Sequence, residues 1–334
     1  MSHPGILHHY APRLVAFEFT PPNSTPSTNA LLFIGGLTDG LLTVPYVPTL
    51  ASALSTTSST PNNNNKNTWS VFNVLLTTSY QGWGVNSLDR DIEDLAQCIT
   101  YIRKLKGPDS KIVIMGHSTG SQDVLHYLSA PNPIPHNPAV NGLQYLTRPP
   151  VDGAIMQAPV SDREGMHITI TTAEARGAYE QLVGLAKAAV AEDPRAILPL
   201  NLTSLVGLDA ETPVNAWRFL SLASPESPEN PSQDDLFSAD LADEKLRATF
   251  GVVGKRGLLG TRLMALYSGA DEYRKPGLDV EGLMKRWQKA TDEGAGEVKW
   301  DAEGSAVIEG ASHNVQDVGQ EELVERVRGY LARL

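Results

Sequence analysis

The chain has 334 residues, with 27 Lys and Arg against 38 Asp and Glu, for a formal net charge of -11. Acidity of that size argues against a nucleic-acid surface, and a content of 41% hydrophobic and 19% charged residues excludes a disordered or fibrous chain. A single cysteine, Cys98, leaves no intrachain disulfide, the first ten residues carry no basic and apolar leader, and no apolar run approaches the roughly 20 residues of a membrane span. The expected setting is the cytoplasm, without a membrane partner.

Leu14 to Phe19 is apolar and β-prone, and after a Pro-Pro-Asn-Ser turn the run Ala30 to Ile34 predicts a second strand. That strand ends in Gly35-Gly36-Leu37-Thr38-Asp39-Gly40, either a tight turn or a loop whose free N–H groups bind an anion. Leu50 to Leu54 reads as helix, and the Ser-, Thr- and Asn-rich stretch Ser55 to Thr68 as a surface loop. Trp69 to Leu76 predicts a strand leading to Thr77-Thr78-Ser79-Tyr80-Gln81-Gly82-Trp83-Gly84. Tyr80 and Trp83 are candidates to line a pocket there, with a core plug as the other reading of Trp83.

Ser87 is a candidate N-cap for a helix whose apolar positions Leu88, Ile92, Leu95, Ile99 and Ile102 alternate at intervals of four and three. The spacing puts Cys98 on this helix, in the core. Gly107-Pro108 ends it, and Ile112 to Met115 follows as a buried strand, so the unit is strand-helix-strand with a parallel sheet.

That strand runs into Gly116-His117-Ser118-Thr119-Gly120, a Gly-x-Ser-x-Gly pentapeptide followed by a helical pattern with Val124, Leu125 and Leu128 inward. The arrangement predicts a nucleophile elbow, a strained turn that presents Ser118 at the top of the sheet and needs glycine on both sides for steric room.

Ala130 to Pro150 is proline-rich loop, and Val151 to Ala158 the next strand. From Asp162 the alternation stops, giving helix-like stretches at Thr172 to Ala191 and Ala239 to Phe250 and a Pro, Ser and acidic segment at Ser224 to Asp235. Alternation resumes with strands at Leu263 to Ser268 and Ser305 to Glu309, a helix at Val280 to Ala290 and a final amphipathic helix at Gln320 to Leu334. The chain therefore divides into a core segment at 1–161, an inserted, mainly helical cap at 162–260 and a second core segment at 261–334.

A serine nucleophile needs a base, usually histidine, and a carboxylate that orients it. Of eight histidines, His313 follows the last strand, where a base is expected; the others lie in the N-terminal arm (His3, His8, His9), the elbow and its helix (His117, His126), the proline loop (His136) and the insertion (His167). Asp271 follows the preceding strand and is the candidate acid, with Glu272 and Asp162 as rivals. No His-Glu-x-x-His helix, paired Cys/His ligands or Ser-x-x-Lys occurs, so no metal and no organic cofactor is expected.

With these residues assembled, the chain resembles the α/β-hydrolase superfamily, and more closely a fungal family that includes siderophore esterases cleaving fusarinine-type ester bonds. The resemblance is carried by Gly35 to Gly40, Gly116 to Tyr127, Gln157 to Asp162, Ser268 to Tyr273 and Gly310 to His313. It implies an α/β-hydrolase fold, with a mostly parallel central sheet flanked by helices, and makes Ser118 the nucleophile, Asp271 the acid and His313 the base. It also implies oxyanion donors at the backbone N–H groups of Leu37 and Thr119. The implied substrate is a small-molecule ester, with a hydroxamate siderophore as one candidate, iron then entering with the substrate. An acyltransferase on the same triad, or a noncatalytic binding protein on a hydrolase scaffold, are the competing readings; no basic amphipathic helix supports a lipase.

Overall fold

The structure is a computed structural model that describes residues 2–24, 27–55, 68–133 and 146–334. Most of the Ser55 to Thr68 and Ala130 to Pro150 loops, with His136, lies outside the described residues.

The chain opens on a hairpin. Strand β1 (Gly5–Ala11) pairs antiparallel with β2 (Leu14–Phe19) around Arg13, whose φ is 68°. The N-terminal arm is therefore a strand, whose alternation its histidines hide in the sequence. They are accommodated by cross-strand pairing, His8 Nε2 lying 2.9 Å from the Glu18 carboxylate.

The remaining strands run parallel to one another, joined to β2 by an antiparallel pairing. After β3 (Asn29–Ile34) come α1 (Val47–Ser55), β4 (Trp69–Val74), α2 (Leu88–Lys106), β5 (Ile112–His117), α3 (Thr119–Ser129) and β6 (Gly153–Gln157). Four helices follow without a strand: α4 (Asp162–Thr169), α5 (Ala173–Glu192), α6 (Leu200–Thr203) and α7 (Ala216–Ala223). Then come α8 (Asp243–Thr249), α9 (Val253–Arg256), β7 (Arg262–Ser268), α10 (Val280–Asp292), β8 (Lys299–Trp300), β9 (Ala306–Ile308) and α11 (Gln320–Ala332). The strand order is β1-β2-β4-β3-β5-β6-β7-β8, with β9 also on β7. The two-residue β8 has no signal in the sequence, being too short to show a period.

Both faces of the sheet are covered, which is why β3 and β5 are wholly buried and carry the continuous apolar runs Ala30 to Ile34 and Ile112 to Met115 rather than alternating. One core packs the sheet against α2, α3 and α10, with Cys98 fully buried in it; the other packs it against α1 and α11. Register then places the site. Ile34 pairs with Gly116, His117 with Gln157, and Ser268 with Ile308, so the loops leaving β3, β5, β6, β7 and β9 emerge at one edge.

The span 162–260 divides by packing. Residues of α4 to α7, together with Trp83, form their own apolar cluster around Leu182 and Phe219. By contrast Phe237, Leu246, Phe250 and Val253 join the sheet-side core, Phe250 stacking on Trp287 of α10 at 5.4 Å. The segment roofing the sheet edge is therefore α4 to α7.

A buried polar network ties α7 to the core. Arg218, fully buried, gives Nη1 to both oxygens of Asp234 at 2.6 and 2.7 Å, and Ser221 donates to the same carboxylate. Close by, Asp91 of α2 and Asp123 of α3 face each other, and Thr78 Oγ1 donates to Asp91 at 2.5 Å. Burial raises both carboxyls, Asp91 to about 7, and the neighbouring Asp91 adds to the rise of Asp123, while the Thr78 hydroxyl and the Arg218 guanidinium hold Asp91 lower than burial alone would.

A carboxyl raised on folding holds a proton that the unfolded chain releases above about pH 4, so its contribution to stability falls as pH rises toward 7. Asp91→Asn keeps the Thr78 acceptor and removes the titration. The variant should gain stability relative to wild type between pH 5 and pH 8, by up to about 1.4 kcal/mol per pH unit inside the window. Urea midpoints at the two pH values test it; an equal wild-type-to-variant difference at both would contradict a raised Asp91 carboxyl.

Candidate active site

Ser118 sits between β5 and α3 at φ 55° and ψ −123°, a conformation that non-glycine residues rarely adopt. The glycines make it possible: a Cβ on Gly116 would lie 1.9 Å from the Gly120 carbonyl oxygen, and one on Gly120 2.4 Å from that of Ile34. The Ser118 N–H donates to the Gln157 carbonyl at 3.0 Å, anchoring the turn to β6.

The His313 ring lies between two side chains from distant parts of the chain. Its Nε2 is 2.8 Å from Ser118 Oγ and its Nδ1 is 2.7 Å from Asp271 Oδ2. Because an ionised carboxylate only accepts, Nδ1 carries the proton and Nε2 faces the serine as an acceptor. The Asp271 side chain is fully buried and that of His313 is 10% exposed.

The two rival carboxylates do other things. Glu272 accepts the backbone N–H of His313 at 2.9 Å, and Asp162 accepts from Gln122 Nε2 at 2.5 Å. Burial, reinforced by the Asp234 charge, pushes the Asp162 carboxyl up to about 7.

The glycine-rich loop after β3 lies directly against the elbow. A Cβ on Gly36 would be 2.6 Å from Ser118 Cβ, so only glycine lets the loop approach. Asp39 braces the turn, accepting from the Gly36 N–H at 2.8 Å and from Thr43 Oγ1 at 2.7 Å. Among the described residues the N–H groups of Leu37 and Thr119 have no intramolecular acceptor.

Such a serine, imidazole and carboxylate line beside two free N–H groups is suited to acyl transfer. The comparisons agree with that chemistry. Residues 1–332 match the family model described as "Protein of unknown function (DUF1749)". The fusarinine C esterase of Aspergillus fumigatus is 48% identical, over 99% of this chain and 96% of its own, and an esterase of Emericella nidulans is 43% identical over 98% and 92%. The structure of the siderophore hydrolase EstB from Aspergillus fumigatus superposes with a TM-score of 0.84 at 45% identity, covering 99% of this chain and 98% of that one. The chain belongs to this family of α/β-hydrolases.

In this α/β-hydrolase the elbow opens into a cavity of about 480 Å³. Its floor includes Ser118 and His313, one wall the Leu37 loop, and its roof Met166, Val206 and Leu222 of the helical insertion. Trp83 lines the cavity and also packs in the apolar cluster of α4 to α7. Tyr80 lies outside the cavity lining. Its hydroxyl accepts the Leu41 N–H at 3.0 Å and its ring covers Gly40, so it braces the glycine-rich loop from outside.

Three residues of the site have roles that nothing in the sequence marks, although Glu272 stands there as a rival acid. His117 packs its ring 4.9 Å from that of His313, and burial together with that neighbour pushes it down to about 4. Gln157 accepts from Tyr46 at 3.0 Å, lies 2.5 Å from His117 Nδ1, and turns its Nε2 toward Ser268 and the His313 carbonyl. Glu272 is the third. His117 and Gln157 were findable only as neighbours of the elbow and as a polar residue ending a buried strand. Among the described residues no cluster of three or more His, Cys, Asp or Glu side chains could hold a metal ion, and no helix is long and apolar enough to cross a membrane.

Gly36→Ala tests the loop's approach. The added methyl should displace the Leu37 N–H from the serine and lower kcat by about 10²-fold, the scale of losing one oxyanion donor. Wild-type kcat in a folded variant would show that the loop has room to spare.

Proposed function

We propose that the protein is a serine esterase that hydrolyses fusarinine-type siderophore esters through an acyl-enzyme. The observation that carries the reading is the unbroken hydrogen-bond line from Asp271 through His313 to Ser118 Oγ. Its substrate class rests on the fusarinine C esterase and siderophore hydrolase relatives.

His313 Nε2 takes the Ser118 proton as Oγ attacks the ester carbonyl. Asp271 holds the imidazole in the Nδ1–H tautomer and favours the imidazolium that forms. The developing oxyanion accepts from the N–H groups of Leu37 and Thr119, each donor worth roughly 10²–10³ in rate. His313 then passes its proton to the leaving alcohol, and a water deprotonated by the same nitrogen releases the acid. Iron, if present, is part of the substrate. The roof formed by α4 to α7 is where we place substrate selection, because it closes the cavity over the serine.

Incubating wild type and Ser118→Ala with fusarinine-type siderophores, with and without iron, and identifying products by mass tests the reading. Monomeric hydroxy acids formed only by wild type support it. Products esterified to an added alcohol in place of free acid would make the enzyme an acyltransferase, and no product from any siderophore while simple esters are cleaved would remove the substrate assignment.

A further inference from the structure

The loop that carries His313 has little sheet support of its own. Strand β9 is three residues long and pairs only with β7, and the loop passes through left-handed residues at Gly310, Val315 and Gly319 before α11 begins. Yet the imidazole must stay within hydrogen-bond distance of both Ser118 and Asp271, and errors near 1 Å in such geometry cost on the order of 10²-fold in rate. Something other than β-ladder pairing has to hold the histidine's backbone.

The Ala270 N–H donates to the Ala311 carbonyl at 2.8 Å, but the main-chain groups of His313 itself are held by side chains. The carbonyl of His313 faces Gln157 Nε2 at 3.4 Å, and its N–H donates to Glu272 Oε2 at 2.9 Å. Glu272 follows Asp271 directly, so consecutive carboxylates grip one histidine at two places, the first at the ring and the second at the main chain. Glu272 is exposed and lines the cavity, and no Lys or Arg among the described residues pairs with it. Among the described residues its hydrogen bond is the one to His313.

We propose that Glu272 is a positioning residue: its carboxylate fixes the His313 backbone and so sets the register of the imidazole between Ser118 and Asp271. The proposal rests on the reading of His313 as base. It needs an acceptor oxygen on Cδ, three carbons out from Cα, which glutamine also supplies. Aspartate, one methylene shorter, does not reach.

The test compares Glu272→Ala, Glu272→Gln and Glu272→Asp with wild type, using p-nitrophenyl butyrate hydrolysis, with His313→Gln as reference and thermal unfolding as the check on folding. Expected are a fall in kcat of about tenfold for Ala and Asp with KM within about twofold, and recovery to within about threefold by Gln. An effect confined to KM would make Glu272 a substrate contact and overturn the proposal. So would wild-type kcat in Ala and Asp, or a Gln variant no better than Ala. If His313→Gln itself keeps turnover, the reading of His313 falls; if it is inactive while the Glu272 variants match wild type, only the proposal falls.

Discussion

Ser118→Ala is expected to lower ester turnover by about 10⁴–10⁶-fold while leaving the fold intact. The magnitude follows from how such groups act: with the nucleophile gone, the base has nothing to deprotonate and only the free N–H groups and substrate binding remain. The fold should survive because among the described residues Oγ has one hydrogen-bond partner, His313, and the elbow's strain is borne by the backbone, anchored by the Ser118 N–H on Gln157. Alanine occupies the same backbone conformation at no greater steric cost than serine. Turnover and unfolding midpoints measured on one preparation decide it. Turnover within about tenfold of wild type would remove Ser118 as nucleophile, whatever the geometry.

The second large effect is on stability. Arg218→Ala should cost about 3–5 kcal/mol, because it strips the partner from a buried carboxylate rather than deleting a pair. Asp234 lies almost fully buried and takes both its oxygens to Arg218, and Asp91, Asp123 and Asp162 lie near enough for the guanidinium to favour their ionised forms. Removing the cation leaves this acidic cluster uncompensated. The double variant Arg218→Met with Asp234→Asn should recover part of the loss, since the pair's net worth is smaller than the penalty for breaking it. Urea unfolding of the single and double variants reads both; a loss below about 1 kcal/mol for Arg218→Ala would mean the cluster is neutralised by protons and not by the arginine.

Much of the fold was legible because its strands are locally marked. β3 and β5 are continuous apolar runs and α2 shows its helical spacing, so periodicity locates them without tertiary information. β1 was not legible, since His8 and His9 break the alternation and their partners, such as Glu18, are supplied only by the hairpin. The packing of the insertion was not legible for a related reason: nothing local in Phe237 to Val253 reveals that it packs on Trp287 in the sheet-side core.

At the site, local signals were enough to mark the elbow. Glycine at 116 and 120 admits Ser118's left-handed backbone, and that steric requirement is written in five consecutive residues. The same local logic ranked Asp271 and His313, each just beyond a strand end. Contacts between segments far apart in the chain decided the rest. Asp271 and Glu272 are neighbours of the same type, and only the folded path of the His313 loop sends one carboxylate to the ring and the other to the backbone. Tyr80 and Trp83 share one short aromatic loop, and only the packing of α4 to α7 puts Trp83 in the cavity wall while Tyr80 braces Gly40 from outside. A short motif can specify backbone strain, because strain is local; which side chain meets which depends on strand register and on the insertion's path, and those are set by the burial of the whole core.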